Sequence, residues 1–309
     1  MLAVIVVSWI WAFPGWAYVL EGPHILGLMV DRLGAAESLF VSQKLIFHRV
    51  GSPAQTAAAS EKTSIATDNA GAGLSSEVTP PIPASDPSPE MLELDESVRY
   101  IFPRAFRSDA KSLVSERIYV FAAGRTLTII DGYIVDDAGN QFELYKDLLL
   151  NRSRPGLCDR LTWLGVDVSV SSLGRFEGKI AFVVGADYPD ETVPQVWVDK
   201  ETLLPMRWII QAGSGGSGTG SLEVRYLDWW RIGKIRYPSR IEFYQDGNLV
   251  RESRAIDLKE NVRFSEALFD VDYLQTVYLR QVASPAEEEQ PGQSSEVQKA
   301  IQEFQNLFD

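Results

Sequence analysis

Residues 221–245 read SLEVRYLDWWRIGKIRYPSRIEFYQ, and their alternation decides the fold. Leu222, Val224 and Tyr226 point one way, Glu223 and Arg225 the other; further on, Ile241 and Phe243 oppose Arg240 and Glu242. A period of two over neighbouring segments means a β-sheet with one apolar and one solvated face. Asp246-Gly247-Asn248 follows, a combination that suits a tight hairpin. The pattern extends outward. In KIAFVVG, Ile180, Phe182 and Val184 share a face. Strands are predicted over 95–102, 116–123, 125–135, 167–175, 178–186, 194–199, 205–211, 221–230, 235–245 and 249–258, with another in LFVSQKLIFHR (39–49). Consecutive hairpins give a meandering antiparallel sheet, and a sheet of about ten strands curls under its own twist. The expected fold is α+β and mainly β: a curved antiparallel sheet forming a half-open barrel, apolar inside, with a helical lid.

Few helices are available for that lid. In PHILGLMVDRLGAAESL (23–39), Ile25, Leu28, Met29, Leu33 and Ala36 form one stripe, and Pro23 suits a helix start. Residues 141–165 (QFELYKDLLLNRSRPGLCDRLTWLG) read as two short helices split at Pro155-Gly156.

The first seventeen residues, MLAVIVVSWIWAFPGWA, carry no charge and end in Pro14-Gly15 and the small Ala17. That is the pattern of a secretory signal peptide cut after Ala17, and it is shorter than the about 20 apolar residues a spanning helix takes. Its basic leading region is missing, so either the start lies upstream or the run is an uncleaved anchor. A location outside the cytoplasm follows for the body of the protein. The expected layout is 1–17 signal peptide, 18–50 helix and first strand, 51–90 disordered insertion, 91–283 the rest of the barrel, and 284–309 a flexible acidic tail. The insertion is rich in Ala, Ser, Thr, Pro and Gly without an aromatic residue, so it cannot offset its ordering entropy. In the tail, Val297, Ile301, Phe304 and Leu307 are spaced to share a helical face.

The net charge of −13 repels phosphate backbones and anionic surfaces, which argues against nucleic-acid binding. Cys158 is the only cysteine, so the fold rests on packing without a disulfide. A monomer without cofactor is expected. Catalysis has little support. There is no G-x-S-x-G elbow, and the two histidines, His24 and His48, sit at a helix start and a strand end. Cys158 reads as a structural thiol. Asp187, Asp190 and Glu191, the pair Asp136-Asp137, and Asp270 with Asp272 lack calcium-loop spacing and read as turn formers, so no metal is expected. Asn151-Arg152-Ser153 matches a glycosylation sequon, a pattern short enough to arise by chance.

Aromatic residues carry the clearest signal. Trp163, Trp197, Trp208, Trp229 and Trp230 fall in the folded body, and on a curled sheet they would wall an apolar ligand. The expected lining for such a ligand is Ile180, Phe182, Trp208, Leu222, Val224, Tyr226, Ile241 and Phe243. Arg104 and Arg107, in YIFPRAFRSD, are the candidates for a polar head group.

Several segments resemble a known family. PQVWVDKETLLPMRWII (194–210) resembles the W-x-D-x-x-T-x-L-P-x-R strand–turn–strand of the outer-membrane lipoprotein-sorting proteins, the LolA/LolB-like superfamily, through Trp197, Asp199, Lys200, Glu201, Thr202, Pro205 and Arg207. YIFPRAFRSD (100–109), YLDWWRIGKIRYPSRIEFYQDG (226–247) and NVRFSEALFDV (261–271) are similar to other elements of that family. The resemblance covers about 24–50 and 92–275 and implies an unclosed barrel with a helical lid over an apolar cavity. It also implies a periplasmic carrier of lipoprotein acyl chains or phospholipid, with donor and acceptor proteins at the inner and outer membranes. The rival reading is a regulatory or scaffold module of the same fold that binds a protein partner, its cavity filled by its own side chains. The carrier reading requires a hollow that a fatty tail can enter; a trough plugged solid by native packing, with no gap for such a tail, would overturn it.

Overall fold

A computed structural model describes residues 19–48, 92–135, 140–211 and 220–280. The expected signal peptide, insertion and tail, and Asp136-Asp137, lie outside the described residues. One sheet dominates. Its strands are β1 (Ser38–Phe47), β2 (Leu92–Ile101), β3 (Ala105–Lys111), β4 (Glu116–Ala122), β5 (Arg125–Ile130), β6 (Tyr133–Val135), β7 (Ser171–Phe176), β8 (Lys179–Val184), β9 (Gln195–Asp199), β10 (Pro205–Gln211), β11 (Ser221–Ile232), β12 (Ile235–Gln245), β13 (Asn248–Glu260) and β14 (Leu279–Arg280). The order is β14-β6-β5-β4-β3-β2-β1-β13-β12-β11-β10-β9-β8-β7. Every pairing is antiparallel except β14 with β6. Two meanders, β1–β6 and β7–β13, are thus stitched together by β1 and β13, and the sheet does not close.

Hairpin chemistry sets this register. Gln245 pairs with Asn248 across Asp246-Gly247, both with positive φ, the two-residue turn whose twist matches that of the strands. The sheet also bends. Tyr100 on β2 and Tyr237 on β12 are three strands apart, about 14 Å on a flat sheet, yet their ring centres are 6.0 Å apart and their hydroxyls 3.5 Å.

Among the described residues, four α-helices accompany the sheet: α1 (Gly22–Leu33), α2 (Lys146–Leu150), α3 (Arg154–Trp163) and α4 (Val271–Val277). Ile25, Leu26, Met29, Val30 and Leu33 of α1 are buried in the main core; Leu28 is only partly buried, so the stripe is rotated from the one read in the sequence. Gly34 ends α1 with φ +81° and lies so close to the Lys234 carbonyl that a Cβ would sit 1.9 Å from it. Residues 141–163 form a 3-10 turn (Gln141–Tyr145), α2 and α3. The break falls at 151–153, because Ser153 caps α3 by accepting from the Gly156 amide; Pro155 belongs to the first turn of α3 instead of splitting the segment. α4, which the sequence reading missed, packs Val271 and Leu274 on the outer face of β4 and β5 against Ile118, Val120, Leu127 and Ile129. The sheet also holds β3, which was not predicted.

Candidate functional site

The inner face of the curled sheet forms a trough. On its β8–β12 wing, Phe182, Trp208, Leu222, Val224, Tyr226, Ile241 and Phe243 are all buried in one core. Register explains the grouping. Trp208 pairs with Val224, Val224 with Phe243, and Tyr226 with Ile241, and directly paired residues share a face. Ile180 does not join them. It lies one pair from the β7–β8 turn and is 44 % exposed. Of the five tryptophans, only Trp208 is buried in the wall. Trp197 lies on the outer face with Ala181, Val183, Phe176 and Met206. Trp163 is 64 % exposed. The alternation of β11 slips at Asp228, where φ is +52°, so Trp229 packs on the core and Trp230 is left exposed.

The two arginines chosen for a head group are elsewhere. Arg104 is exposed in the β2–β3 turn. Arg107 alternates with the inward Phe106 and so lies on the outer face, where it holds Asp109 at 2.7 Å and donates to the Leu268 carbonyl before α4. Arg99 pairs with the same Asp109. Other sequence candidates have local work. Asp190 accepts from the Thr192 amide and hydroxyl, Glu191 pairs with Arg207, Asp270 caps α4, and Asp272 pairs with Arg125. His24 is exposed, His48 lies 3.8 Å from Glu252, and burial pushes the partly covered Cys158 thiol up. Asp199 accepts from the Glu201 and Thr202 amides, which makes the W-x-D-x-x-T motif a turn device.

The β13-to-β4 part of the trough carries a buried polar cluster among apolar residues such as Val41, Val98, Tyr100 and Phe106, and the sequence reading missed it. Gln43, Glu96, Ser108, Arg117, Arg251 and Ser253 are buried there. Gln43 donates to Glu96 at 2.6 Å, and Ser108 donates to the other oxygen of the same carboxylate.

The trough is occupied by the chain itself. Phe142, Leu144, Tyr145, Leu148, Leu149 and Leu150 are buried against the wall, backed by α1. Tyr145 meets Phe243 edge-on at 5.6 Å and Phe106 at 6.2 Å. The Tyr226 hydroxyl donates to the Tyr145 carbonyl at 2.9 Å. The hollow expected from the sequence is therefore filled by residues 141–163, whose leucines satisfy the apolar wing in place of a guest. A pocket of about 340 Å³ lies elsewhere, between the starts of α1 and α3, lined by Leu20, Glu21, Pro23, His24 and Arg154.

This filling is charged as well as apolar. Glu143 binds Arg117 at 2.9 Å and lies 3.8 Å from Arg251. Burial pushes its carboxyl up, but Arg117, then Arg251 and Lys146, outweigh that and hold it below its ordinary value. Lys146 donates to the Glu143 carbonyl and is ringed by Phe106, Tyr119 and Phe121; burial works against its charge, yet Tyr119, Asp147 and Glu143 hold it above its ordinary value. Asp147 is held by Arg160 at 2.7 Å. Burial drives the Tyr100, Tyr145 and Tyr226 hydroxyls well above theirs; those of Tyr100 and Tyr226 act as neutral hydrogen-bonding groups, while that of Tyr145 is buried without a hydrogen-bond partner.

No family model matches the chain, and no curated protein matches its sequence. Solved structures resemble it. A LolA-superfamily protein from Nitrosomonas europaea is 10 % identical, with a TM-score of 0.48 over 82 % of this chain and 100 % of that one. A domain assigned to the outer membrane lipoprotein-sorting proteins, from Vibrio parahaemolyticus, is 10 % identical, with a TM-score of 0.45 over 82 % and 97 %. A DUF1329 family protein from Desulfovibrio piger is 11 % identical, with a TM-score of 0.47 over 82 % and 98 %. The roles assigned to its residues rest on the chain's own geometry.

Proposed function

We propose that the protein is an exported, non-catalytic carrier that shelters acyl chains of lipoproteins or lipids in its trough while they cross an aqueous space. The observation that carries this reading is the mismatch between the trough and its filling. Apolar side chains would serve a permanent core as well as the buried Glu143, Lys146 and Asp147, since packed apolar residues can often replace buried ion pairs without loss of stability. An acyl chain would suit the apolar wing, at about 0.8 kcal/mol for each CH₂ withdrawn from water. The trough as it stands is filled by residues 141–163, so a carrier with a standing hollow does not hold, and residues 141–163 and α1 would have to withdraw for the guest to enter. Phe182, Trp208, Leu222, Val224, Tyr226, Ile241 and Phe243 would line the chain, with Ile180 at the margin. Among the described residues no helix is long and apolar enough to cross a membrane, which is compatible with passage through the periplasm between donor and acceptor proteins.

The test is mass spectrometry of small molecules that co-purify with the protein from its own envelope. Near one phospholipid or lipopeptide per chain is expected, and Val224→Asp, checked for folding by circular dichroism, should arrive empty. A wild-type protein that is empty and takes up no acyl probe at micromolar concentration overturns the reading.

One observation favours a second reading. The trough is filled by native side chains, as a regulatory or scaffold module of this fold would have it. Such a module would co-purify with a polypeptide and no lipid, and lipid extraction would leave its partner affinity unchanged.

A further inference from the structure

Arg117 on β4 and Arg251 on β13 are separated by β3, β2 and β1, about 19 Å across a flat sheet. Both nevertheless approach one oxygen of Glu143, at 2.9 Å and 3.8 Å. The carboxylate therefore sits across the trough, between two cationic points of its wall. We propose that residues 141–150 are a built-in surrogate for the ligand, and that Glu143 occupies the seat of an anionic head group, such as a phosphate, between Arg117 and Arg251. This rests on the reading of the trough as an acyl-chain site and names the ligand class within it: an anionic amphiphile.

Three features support the seat. First, the fit of the carboxylate is incomplete. All three guanidinium nitrogens of Arg251 and the second oxygen of Glu143 are buried without a hydrogen-bond partner. A planar guanidinium presents five donors, more than a single shared carboxylate oxygen can use, while a phosphate offers more acceptors in matching geometry. Second, the segment takes with it Glu143, the carboxylate that Arg251 approaches among the described residues, and Glu96 on the wall is already engaged by Gln43 and Ser108. Third, the segment has the polarity of an amphiphile. Its charged atom lies between the arginines, and Phe142 and Tyr145 reach from there to Phe243 on the apolar wing.

The experiment compares hexadecyl phosphate with the uncharged monopalmitoylglycerol, each below its aggregation concentration, on wild type, Glu143→Gln and Arg251→Met. Removing the surrogate charge loosens the segment that either amphiphile must displace, so Glu143→Gln should tighten both, by about tenfold, the scale of a charge-assisted bond to a buried ion. Arg251→Met should abolish the preference for the phosphate. Should Glu143→Gln not fold unliganded, hexadecyl phosphate must recover its fold where monopalmitoylglycerol does not. If wild type binds both amphiphiles, Glu143→Gln tightens neither and Arg251→Met leaves their ratio unaltered, the surrogate is overturned and the carrier stands. If wild type binds neither, both readings fall.

Discussion

The hydroxyl of Tyr226, on the wall, donates to the backbone carbonyl of Tyr145, in the segment that fills the trough, at 2.9 Å. Both residues are buried, so no water competes for the bond. Tyr226→Phe keeps the ring and removes this tie. We expect a loss of about 1 kcal/mol in unfolding free energy, read by urea denaturation. Amide exchange over 141–150 should accelerate more than exchange in β11 and β12. Equal acceleration throughout would mean that the segment opens only with the whole fold.

Why the wall was legible in the sequence and its filling was not follows from range. Val224 and Phe243 announce their face because strand alternation is local, and one short turn, Gly233-Lys234, joins their strands, with Ile232 paired to Ile235 across it. The reading failed where a local irregularity intervened, as at Asp228, whose positive φ exchanged the sides of Trp229 and Trp230. It also failed at β3, whose inner residues Phe106, Ser108 and Ala110 include only one large apolar side chain. Arg107 could have been placed outside by its alternation with Phe106. No sequence window could have joined Arg117, Glu143 and Arg251, for their burial depends on strands and a turn distant in the chain. Their pattern reads as ordinary solvated charge until the sheet has curled.

Arg152, between α2 and α3, is an unpaired buried cation. The residue is half-buried overall, but its three guanidinium nitrogens are out of water's reach and have no hydrogen-bond partner. The group lies 4.2 Å over the ring of Phe102, and burial pushes its pKa down from its ordinary value to about 10. A base with a lowered folded-state value costs stability at every pH below that value, and the cost fades as pH rises above about 10 toward the ordinary arginine range. Arg152→Met should therefore stabilise the unliganded protein at neutral pH, by about 1–3 kcal/mol, visible as a higher Tm. A lower Tm would mean that the guanidinium face on Phe102 is worth more than its desolvation costs.

Gly174, on β7, allows Trp197 to lie flat against the outer face. A Cβ there would come within 2.7 Å of the indole and 3.0 Å of Tyr188. Trp197 is also held edge-on by Tyr188 at 5.9 Å, and its ring nitrogen donates to Gln195. Gly174→Ala should therefore cost about 1–3 kcal/mol through overpacking. Since Trp197 is on the side of the sheet opposite the trough, acyl-probe affinity should be unaffected at temperatures where the variant is folded. A large change in affinity with normal stability would place Trp197 in the binding path after all.

Glu143 gives the filled trough an acid limit. Its carboxyl is held below its ordinary value of 4.5 by Arg117, Arg251 and Lys146 in spite of burial. A carboxyl lowered in the folded state adds stability that is fully present above the unfolded value, and loses it as pH falls through the folded one. Acid should thus loosen residues 141–150 by neutralising the charge that holds two wall arginines. Glu223, which burial pushes up but Arg207 and Arg225 bring down overall, loses stability in the same range, as do Asp167 and Asp190. Those groups are common to wild type and Glu143→Gln, so the difference between the two isolates Glu143. Urea midpoints measured from pH 7 downward should fall more steeply below pH 4.5 for wild type than for Glu143→Gln, and the two curves should converge in strong acid. Parallel curves would show that Glu143 gains nothing from its arginines, and the bridge across the trough would then contribute no stability to the closed state.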